Sequence, residues 1–301
     1  MYRDLANIVM NTSERKIIVV DIGGSHIAAG ELDWDKREVR SGSQCRRSVD
    51  SHASADVIIS SWANLLSDFI DEVNKDHVWV GIAMPGPFDY NEGISYINEL
   101  NKYDALYGMN VKKELAQALG ISPDHILFKN DAEAFLYGEV VHRGDLDEAK
   151  VVGITLGTGL GSAVYNHGVC RDVFRAITPM KHGIAEDYIS SRWFKHRYSQ
   201  LSGEQLESVE ALAKGQDPLK AQIFSEFATH LAFFLNDFIE EESASAVIIG
   251  GNIARCLDLF IDELRAKLKN KQVQLYQSIL WEDAALLGAG YLWENKLTKS
   301  I

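Results

Sequence analysis

The chain is poor in cysteine, in proline and in long apolar runs. Its 301 residues include three cysteines and five prolines. The cysteines are odd in number and far apart, at Cys45, Cys170 and Cys256, which argues against a metal cluster and suits a reducing compartment. No run approaches the roughly 18 apolar residues of a membrane span, and the charged first fifteen residues lack the apolar core of a signal peptide. We therefore expect a cytoplasmic protein.

Positive charge is also scarce. The sequence has 30 Lys and Arg against 43 Asp and Glu, a formal net charge of −13. Such a chain repels phosphate backbones and anionic headgroups, so neither nucleic acid nor a membrane is expected as a partner. Any bound phosphate must be held by local donors. The length and the 46% hydrophobic content are enough for one large domain or two smaller domains.

What the sequence does contain is an alternation of apolar strands and amphipathic helices, which predicts an α/β fold. The run at 16–21 is typical of a buried strand that enters a tight turn. The second half of the chain repeats the scheme of the first, so two similar halves are predicted. The predicted strands are 16–21, 27–32, 77–84, 126–129, 151–155 and 246–249, and the predicted helices are 56–75, 111–119, 132–142, 206–213, 219–241 and 284–297.

Two glycine turns each follow an apolar strand. They are Asp21-Ile-Gly-Gly-Ser25 and Gly157-Thr-Gly159. Glycines let backbone N–H groups approach phosphate oxygens, although an ordinary structural turn is the favoured interpretation of the first turn taken alone. The second turn has Ser162 where the dinucleotide motif has glycine, and no Lys-Ser/Thr pair follows it as in a P-loop. Both common nucleotide motifs are therefore disfavoured.

An acid follows the strand at 126–129 and opens a helix. Asp131, preceded by Asn130, is open to two interpretations. It could be a helix N-cap, or it could be a base that takes a hydroxyl proton. The two are compatible, because a helix N-terminus favours the ionised carboxylate that a base requires.

Six segments of the chain form an ordered set of motifs. They are Asp21-Ile-Gly-Gly-Ser25, Gly81-Ile-Ala-Met-Pro-Gly-Pro87, Asn130-Asp-Ala-Glu-Ala-Phe-Leu-Tyr-Gly-Glu139, Leu156-Gly-Thr-Gly-Leu-Gly-Ser162, Ile249-Gly-Gly-Asn-Ile253 and Ala285-Leu-Leu-Gly-Ala-Gly290. In order and approximate spacing they resemble the motifs of the ROK family of sugar kinases, and the resemblance runs from about Ile17 to Trp293.

The resemblance implies a two-lobed, actin-like (ribonuclease H-like) α/β fold with a nucleotide cleft between the lobes. The N-terminal lobe would span 16–120, with the helix at 284–297 packing back on it, and the larger C-terminal lobe would span 121–283. By the same comparison the residues that bind the ATP phosphates and border the adenosine are Asp21, Gly23, Gly24, Ser25, Gly157, Thr158, Gly159, Gly250 and Gly251.

The resemblance also implies the roles of the acidic and sugar-binding residues. Asp21 would position Mg²⁺ through water, and Asn130 and Asp131 would hold the sugar while Asp131 takes the proton of the attacked hydroxyl. The loop at Gly86 and Pro87 would form one wall of the sugar site. The family presents an asparagine to the sugar at a position that either Asn98 or Asn101 could fill, and that choice stays open.

The chain departs from the family where ROK kinases carry Gly-His and a cysteine-rich zinc loop. Here the segment at 174–190 has no cysteine, so we expect no zinc site, because a lone histidine cannot make a closed tetrahedral one. Glu186 resembles the glutamate that binds the sugar. His182 is either a counterpart of the sugar-binding histidine or a surface residue.

The function that the resemblance implies is the ATP-dependent phosphorylation of a hexose or an N-acylhexosamine, with Mg²⁺ and without zinc, in a homodimer. One alternative is a catalytically degenerate sugar-binding or regulatory protein without a DNA-binding domain. A transcriptional regulator would need a DNA-binding extension, and the roughly fifteen residues before the first strand are too few for a helix-turn-helix. A member of the actin-like superfamily that acts on a small acid or polyol is a further alternative.

Overall fold

The computed structural model describes residues 16–71 and 75–293. The chain divides into two compact units, the first containing residues up to Gly138 together with those from Glu282, and the second containing Glu139–Trp281. Residues 1–15 lie outside the described ranges, as do 72–74 of the predicted helix 56–75 and 294–297 of the predicted helix 284–297. Within the described ranges no helix combines the length and the apolar character needed to cross a bilayer.

The first unit is built on a six-stranded sheet. Its first two strands form an antiparallel hairpin. The first strand, Lys16–Ile22, pairs in parallel with Val78–Met84, which in turn pairs in parallel with Ile126–Asn130. Buried apolar side chains fill these strands because both faces of the sheet are covered. The strands are Lys16–Ile22, His26–Asp33, Glu38–Val39, Cys45–Ser48, Val78–Met84 and Ile126–Asn130, and a separate short pair is Phe88–Asp89 with Ile94–Ser95.

The second unit repeats this plan with five strands. The consecutive strands Lys150–Leu156, Leu160–Asn166 and Val169–Asp172 are antiparallel. Ala246–Gly250 pairs in parallel with Lys150–Leu156, and Gln274–Gln277 pairs in parallel with Ala246–Gly250. The strands are Lys150–Leu156, Leu160–Asn166, Val169–Asp172, Ala246–Gly250 and Gln274–Gln277, and a separate short pair is Pro179–Met180 with Gly183–Ile184.

The helices agree with the predicted ones most closely where a cap is encoded locally. Val111–Leu119 ends at Gly120, whose φ of 66° is the left-handed conformation that glycine adopts easily, as predicted. The predicted helix 56–75 ends earlier, at Leu66, and is followed by a 3₁₀ turn. The polar helix Ser191–Ser202 was not predicted because it buries only Trp193 and Phe194. The α-helices are Ala55–Leu66, Val111–Leu119, Asp131–Arg143, Ala185–Tyr188, Ser191–Ser202, Val209–Lys214, Lys220–Glu242, Ile261–Lys267 and Asp283–Gly290.

The boundary between the two units lies after the strand Ile126–Asn130 in the sequence. This strand pairs in parallel with Val78–Met84 and so belongs to the first sheet. The division therefore falls between 138 and 139, whereas the sequence analysis placed it between 120 and 121. A local pattern does not reveal which sheet a strand joins.

The helix Asp283–Gly290 packs closely within the first unit because a glycine at each close contact leaves no side chain between the two backbones. A Cβ on Gly81 would lie 2.2 Å from the carbonyl oxygen of Ala289, and one on Gly288 would lie 1.8 Å from that of Ala134. Ala134 belongs to the helix that begins at Asp131, so these glycines determine how closely that helix is held in the first unit.

Candidate active site

The helix that begins at Asp131 is capped by its neighbour Asn130. The Asn130 side-chain oxygen accepts hydrogen bonds from the backbone N–H groups of Ala132, at 2.9 Å, and Glu133, at 3.2 Å. The Asp131 carboxylate also accepts from Ala132, at 2.9 Å. Of the two interpretations of Asp131, the cap therefore belongs mainly to Asn130, because only the Asn130 side chain reaches both N–H groups. The Asp131 carboxylate keeps acceptor capacity for another group.

Asp21 lies near the end of the strand Lys16–Ile22 and Asp131 follows the strand Ile126–Asn130, and the two acids interact electrostatically although the strand Val78–Met84 lies between their strands. Asp21 pairs with Ala83, and Met84 pairs with Asn130, so the two acids lie at the carboxyl edge of the sheet, where open α/β folds place ligands. Burial, with a contribution from the negative charge of Asp131, raises the pKa of Asp21 from 3.8 to about 7. Burial also raises the pKa of Asp131.

Two groups oppose the effect of burial on Asp131. The positive charge of Lys102 lowers the Asp131 pKa, as does the backbone N–H of Ala132. Lys102 lies in the loop between the short strand Ile94–Ser95 and the helix Val111–Leu119. The carboxylate therefore has specific partners for its ionised form, although burial disfavours the charge.

The predicted phosphate turn at Gly23, Gly24 and Ser25 adjoins Asp21. The Gly23 N–H donates to the His26 carbonyl at 2.9 Å, while Gly24 and Ser25 are exposed. The His26 imidazole lies 4.0 Å from the Asp21 carboxylate, and burial lowers the His26 pKa, which favours the neutral ring. The turn therefore offers two exposed residues beside a partly buried carboxylate.

A buried tyrosine connects this turn with the predicted sugar loop. Tyr103 is fully buried, and its hydroxyl donates to the Gly23 carbonyl at 2.5 Å. Burial raises the pKa of this hydroxyl, with a smaller contribution from the charge of Asp21, so the hydroxyl keeps its proton. The candidate sugar residues Asn98 and Asn101 precede it on the loop and are both exposed, so the choice between them stays open.

The loop with Gly86 and Pro87 is connected to Asn130 by Tyr90. The Gly86–Pro87 peptide bond is cis. The Tyr90 hydroxyl accepts a hydrogen bond from the Asn130 amide at 3.2 Å and donates to the Met84 carbonyl at 3.2 Å. The sequence analysis missed both Tyr90 and Tyr103, because a single tyrosine in a loop carries no pattern that distinguishes it from a core residue.

In the second unit the predicted residues Gly157 and Thr158 line a cavity of about 660 Å³. Its wall also contains basic and polar side chains, including Lys195, Arg255 and Asn252. The cavity has the size and the mixed lining of a site for a nucleotide-sized ligand. Its lining residues are Gly157, Thr158, Ser191, Lys195, Glu207, Ser208, Val209, Glu210, Ala213, Lys214, Asn252, Ile253, Arg255, Cys256, Asp258 and Leu259.

The other predicted glycines of the second unit adjoin this cavity in sequence. Gly250 ends the strand Ala246–Gly250, and Gly251 follows with a φ of 83° and precedes Asn252 of the cavity wall. A Cβ on Gly251 would lie 2.4 Å from the Leu156 carbonyl oxygen, so only glycine fits there. Gly159 accepts a backbone hydrogen bond from Gly157 at 3.0 Å, which closes the turn.

Glu186 contacts the glycine turn of the second unit. Its carboxylate accepts the N–H of Leu160 at 2.9 Å and pairs with Arg192. A Cβ on Gly159 would lie 2.5 Å from the same carboxylate. His182, the other predicted residue of this segment, is exposed. Glu186 therefore supports the turn 157–160, a contact that the sequence analysis did not anticipate because it joins residues 26 positions apart.

Asp21 is suited to be an Mg²⁺ ligand. Proteins that bind Mg²⁺ with nucleotides usually supply one or two carboxylates, while phosphate oxygens and water complete the shell. A partly buried carboxylate beside a second one and an exposed glycine turn has this character, because a cation would stabilise the Asp21 charge that burial and the repulsion from Asp131 disfavour. Across 16–71 and 75–293 no group of three or more His, Cys, Asp or Glu could hold a metal ion.

A model of the ROK family matches residues 17–171, just over half of the chain. The chain belongs to the ROK family. The prediction made from the six ordered motifs is therefore confirmed. Its departure from the family's cysteine-rich loop is a property of this member.

Two proteins named as sugar kinases match most of the chain. The glucokinase of Thermotoga maritima is 24% identical over 94% of this chain and 98% of its own length. The N-acetyl-D-glucosamine kinase of Shigella boydii is 25% identical over 78% of this chain and 83% of its own length. The chain is thus similar over most of its length to enzymes named as sugar kinases.

A solved structure supports the fold. The ROK family glucokinase from Streptomyces griseus, solved in complex with glucose and AMPPNP, aligns with a TM-score of 0.73 at 22% identity and covers 92% of this chain and 98% of its own. The predicted actin-like α/β fold is therefore confirmed.

Proposed function

We propose that this chain transfers the γ-phosphoryl group of ATP to a hydroxyl of a hexose or an N-acylhexosamine, with Asp131 as the general base. Membership of the ROK family and the named relatives support sugar phosphorylation in general. One observation carries the role of Asp131. It stands beside Asp21 at the carboxyl edge of the sheet, and the capping of its helix rests mainly on Asn130.

In the proposed reaction the sugar hydroxyl oxygen attacks the γ-phosphorus while the bond from that phosphorus to the ADP oxygen breaks. The hydroxyl proton passes to Asp131. Such a transfer needs mainly positioning and neutralisation of charge, so one base in a well-ordered site is sufficient. Burial raises the pKa of Asp131, which strengthens the carboxylate as a base, provided that it remains ionised.

Bound Mg²⁺ would supply positive charge to the phosphate oxygens, and Asp21 is the residue that would hold it, through water. The exposed turn Gly23–Ser25 offers backbone donors beside it. In the second unit the turn Gly157–Gly159 and the neighbouring Gly250 and Gly251 would contact the rest of the nucleotide, which the 660 Å³ cavity supports. We expect no requirement for zinc.

The sugar residues follow from the same proposal. Asn130 would orient the sugar while its amide holds Tyr90. The Gly86–Pro87 loop would form one wall, and an exposed amide from Asn98 or Asn101 would meet another hydroxyl. Glu186 and His182 complete the set that the family resemblance implies.

The experiment is an assay of ADP release across a panel of hexoses and N-acylhexosamines, with Asp131→Asn as the test variant. Because Asn130 provides most of the cap and the substitution removes a buried negative charge, this variant should fold and should melt at a temperature no lower than that of the wild type. It should lose roughly 10²- to 10⁴-fold in kcat, the usual contribution of a general base. A kcat equal to that of the wild type would show that Asp131 is not the general base. If calorimetry detects sugar binding while no sugar supports ADP release, the chain is the catalytically degenerate sugar-binding or regulatory protein instead.

The remaining expectations concern the surroundings of the protein. We propose a cytoplasmic homodimer whose partner is a small sugar, with no role for nucleic acid or for a membrane. Sedimentation velocity of the purified chain tests the dimer, and a single species of monomer mass would contradict it. The high acidic charge supports the absence of nucleic acid.

A further inference from the structure

The loop that contains Lys102 is held firmly against the glycine turn of the first unit. Tyr103 donates its hydroxyl to the Gly23 carbonyl and its backbone N–H to the Ser51 carbonyl at 2.7 Å. Its ring packs against Trp62 with centroids 5.4 Å apart. Tyr103 also has a φ of 55°, a conformation that non-glycine residues keep only where the surroundings enforce it. The backbone position of Lys102, which precedes Tyr103, is therefore well determined.

The side chain of Lys102 extends over the glycine turn. Its Cδ lies 3.7 Å from the point that a Cβ on Gly24 would occupy. The residue is half-buried, and among the described residues no hydrogen bond or ion pair engages its ammonium group. A lysine that is partly desolvated within electrostatic reach of the Asp131 carboxylate, yet not paired with it, is placed to accept an anion.

The charges around Lys102 point the same way. Its positive charge lowers the pKa of Asp131, which puts the ammonium within electrostatic reach of the base. Asp21, His26 and Arg46 surround the same edge of the sheet, and His26 has a lowered pKa that favours its neutral form. Lys102 is thus a cation close to both the glycine turn and Asp131.

We propose that Lys102 is a catalytic residue of this site, whose ammonium group contacts the transferring phosphoryl group beside Gly24. The proposal rests on the phosphoryl transfer described above. The atoms balance as before, because Lys102 exchanges no proton and forms no covalent bond. It neutralises charge on the phosphoryl oxygens as the bond to ADP breaks and the bond to the sugar forms.

The test compares Lys102→Met with Lys113→Met, a control on the exposed face of the helix Val111–Leu119. Methionine keeps most of the aliphatic length and removes the charge. We expect Lys102→Met to lose roughly 10²- to 10³-fold in kcat, as for removal of one preorganised donor, and the control to keep its kcat. The acid limb of kcat against pH should also move to higher pH in Lys102→Met, because Asp131 loses the charge that favours its ionised form.

Calorimetry with AMPPNP and Mg²⁺ measures the contact without turnover. Lys102→Met should bind AMPPNP more weakly than the wild type, with the affinity for the sugar unchanged. A kcat within threefold of wild type together with unchanged AMPPNP affinity would overturn the inference and leave the proposed function standing. Equal loss of sugar and AMPPNP binding would also overturn it, because Lys102 would then only support the loop. Weakened AMPPNP binding in a protein that phosphorylates no sugar would refute the proposed function and not this contact.

Discussion

The carboxyl of Asp21 should make the stability of the protein depend on pH, and Asp21→Asn should remove that dependence. Its pKa rises from 3.8 to about 7 in the folded state because the side chain is only 22% exposed and faces Asp131. A difference of that size corresponds to about 4 kcal/mol, at about 1.4 kcal/mol for each tenfold change in the protonation equilibrium. Residual solvation reduces the effect, so we expect about 2–4 kcal/mol.

The sign follows from proton binding. Because the folded-state pKa of Asp21 is raised, the folded protein binds more protons than the unfolded chain between about pH 4 and pH 7. The contribution of Asp21 to stability is therefore present below pH 4, decreases as pH rises through this window, and is constant above it. Asn cannot titrate, so Asp21→Asn should become more stable relative to the wild type as pH rises.

The assay is urea unfolding at pH 4.5 and pH 8.5 for the wild type, Asp21→Asn and Asp35→Asn. Asp35 is an exposed carboxylate in a turn of the same unit and serves as the matched control. The difference in unfolding free energy between Asp21→Asn and the wild type should grow by about 2–4 kcal/mol between the two pH values. A difference that stays constant to within about 0.5 kcal/mol would show that Asp21 is not perturbed by burial and by Asp131.

Three further predictions concern side chains with several hydrogen bonds. Asn130→Ala should lower the unfolding free energy by about 1 kcal/mol and Asn130→Ser should restore most of it, because the uncharged serine hydroxyl also caps a helix; equal losses in denaturant unfolding would contradict the cap. Glu139 is fully buried and accepts from Ser278 and from the N–H groups of Ile279 and Leu280, so Glu139→Ala should cost about 3 kcal/mol, measured in the same way against Glu139→Gln. Glu186→Ala should raise the KM for ATP, because the glycine turn loses its support, and also the KM for the sugar, because Glu186 is one of the proposed sugar-binding residues; an unchanged KM for ATP would contradict the support of the turn.

Much of the site was predictable because its residues occupy positions that a local pattern marks. An apolar run followed by Asp21 and two glycines indicates a strand end and a turn. The same applies to Asn130 and Asp131, since a polar pair after a strand marks the edge where parallel strands meet. The order of such motifs was enough to identify the ROK family before any contact was known.

The boundary between the two units, by contrast, depends on contacts between residues that are far apart in the sequence. The strand Ile126–Asn130 was recognised, but its place beside Val78–Met84 depends on hydrogen bonds between strands more than 40 residues apart. The close approach of Gly81 to Ala289 likewise joins residues that are 208 positions apart. No local pattern encodes such distances.

The sequence by itself determined which segments become strands, turns and helices, and which of them carry acids and glycines, because periodicity and backbone freedom are local properties. Tertiary structure alone decided the partners of those groups. Tertiary structure made Asn130 the main cap of its helix and brought Asp131 close enough to Asp21 to interact electrostatically. It also hydrogen-bonded Tyr103 to Gly23 and placed the Lys102 side chain over the glycine turn. Burial and the distances between charges determine a pKa and a chemical role, and both arise only when distant parts of the chain pack together.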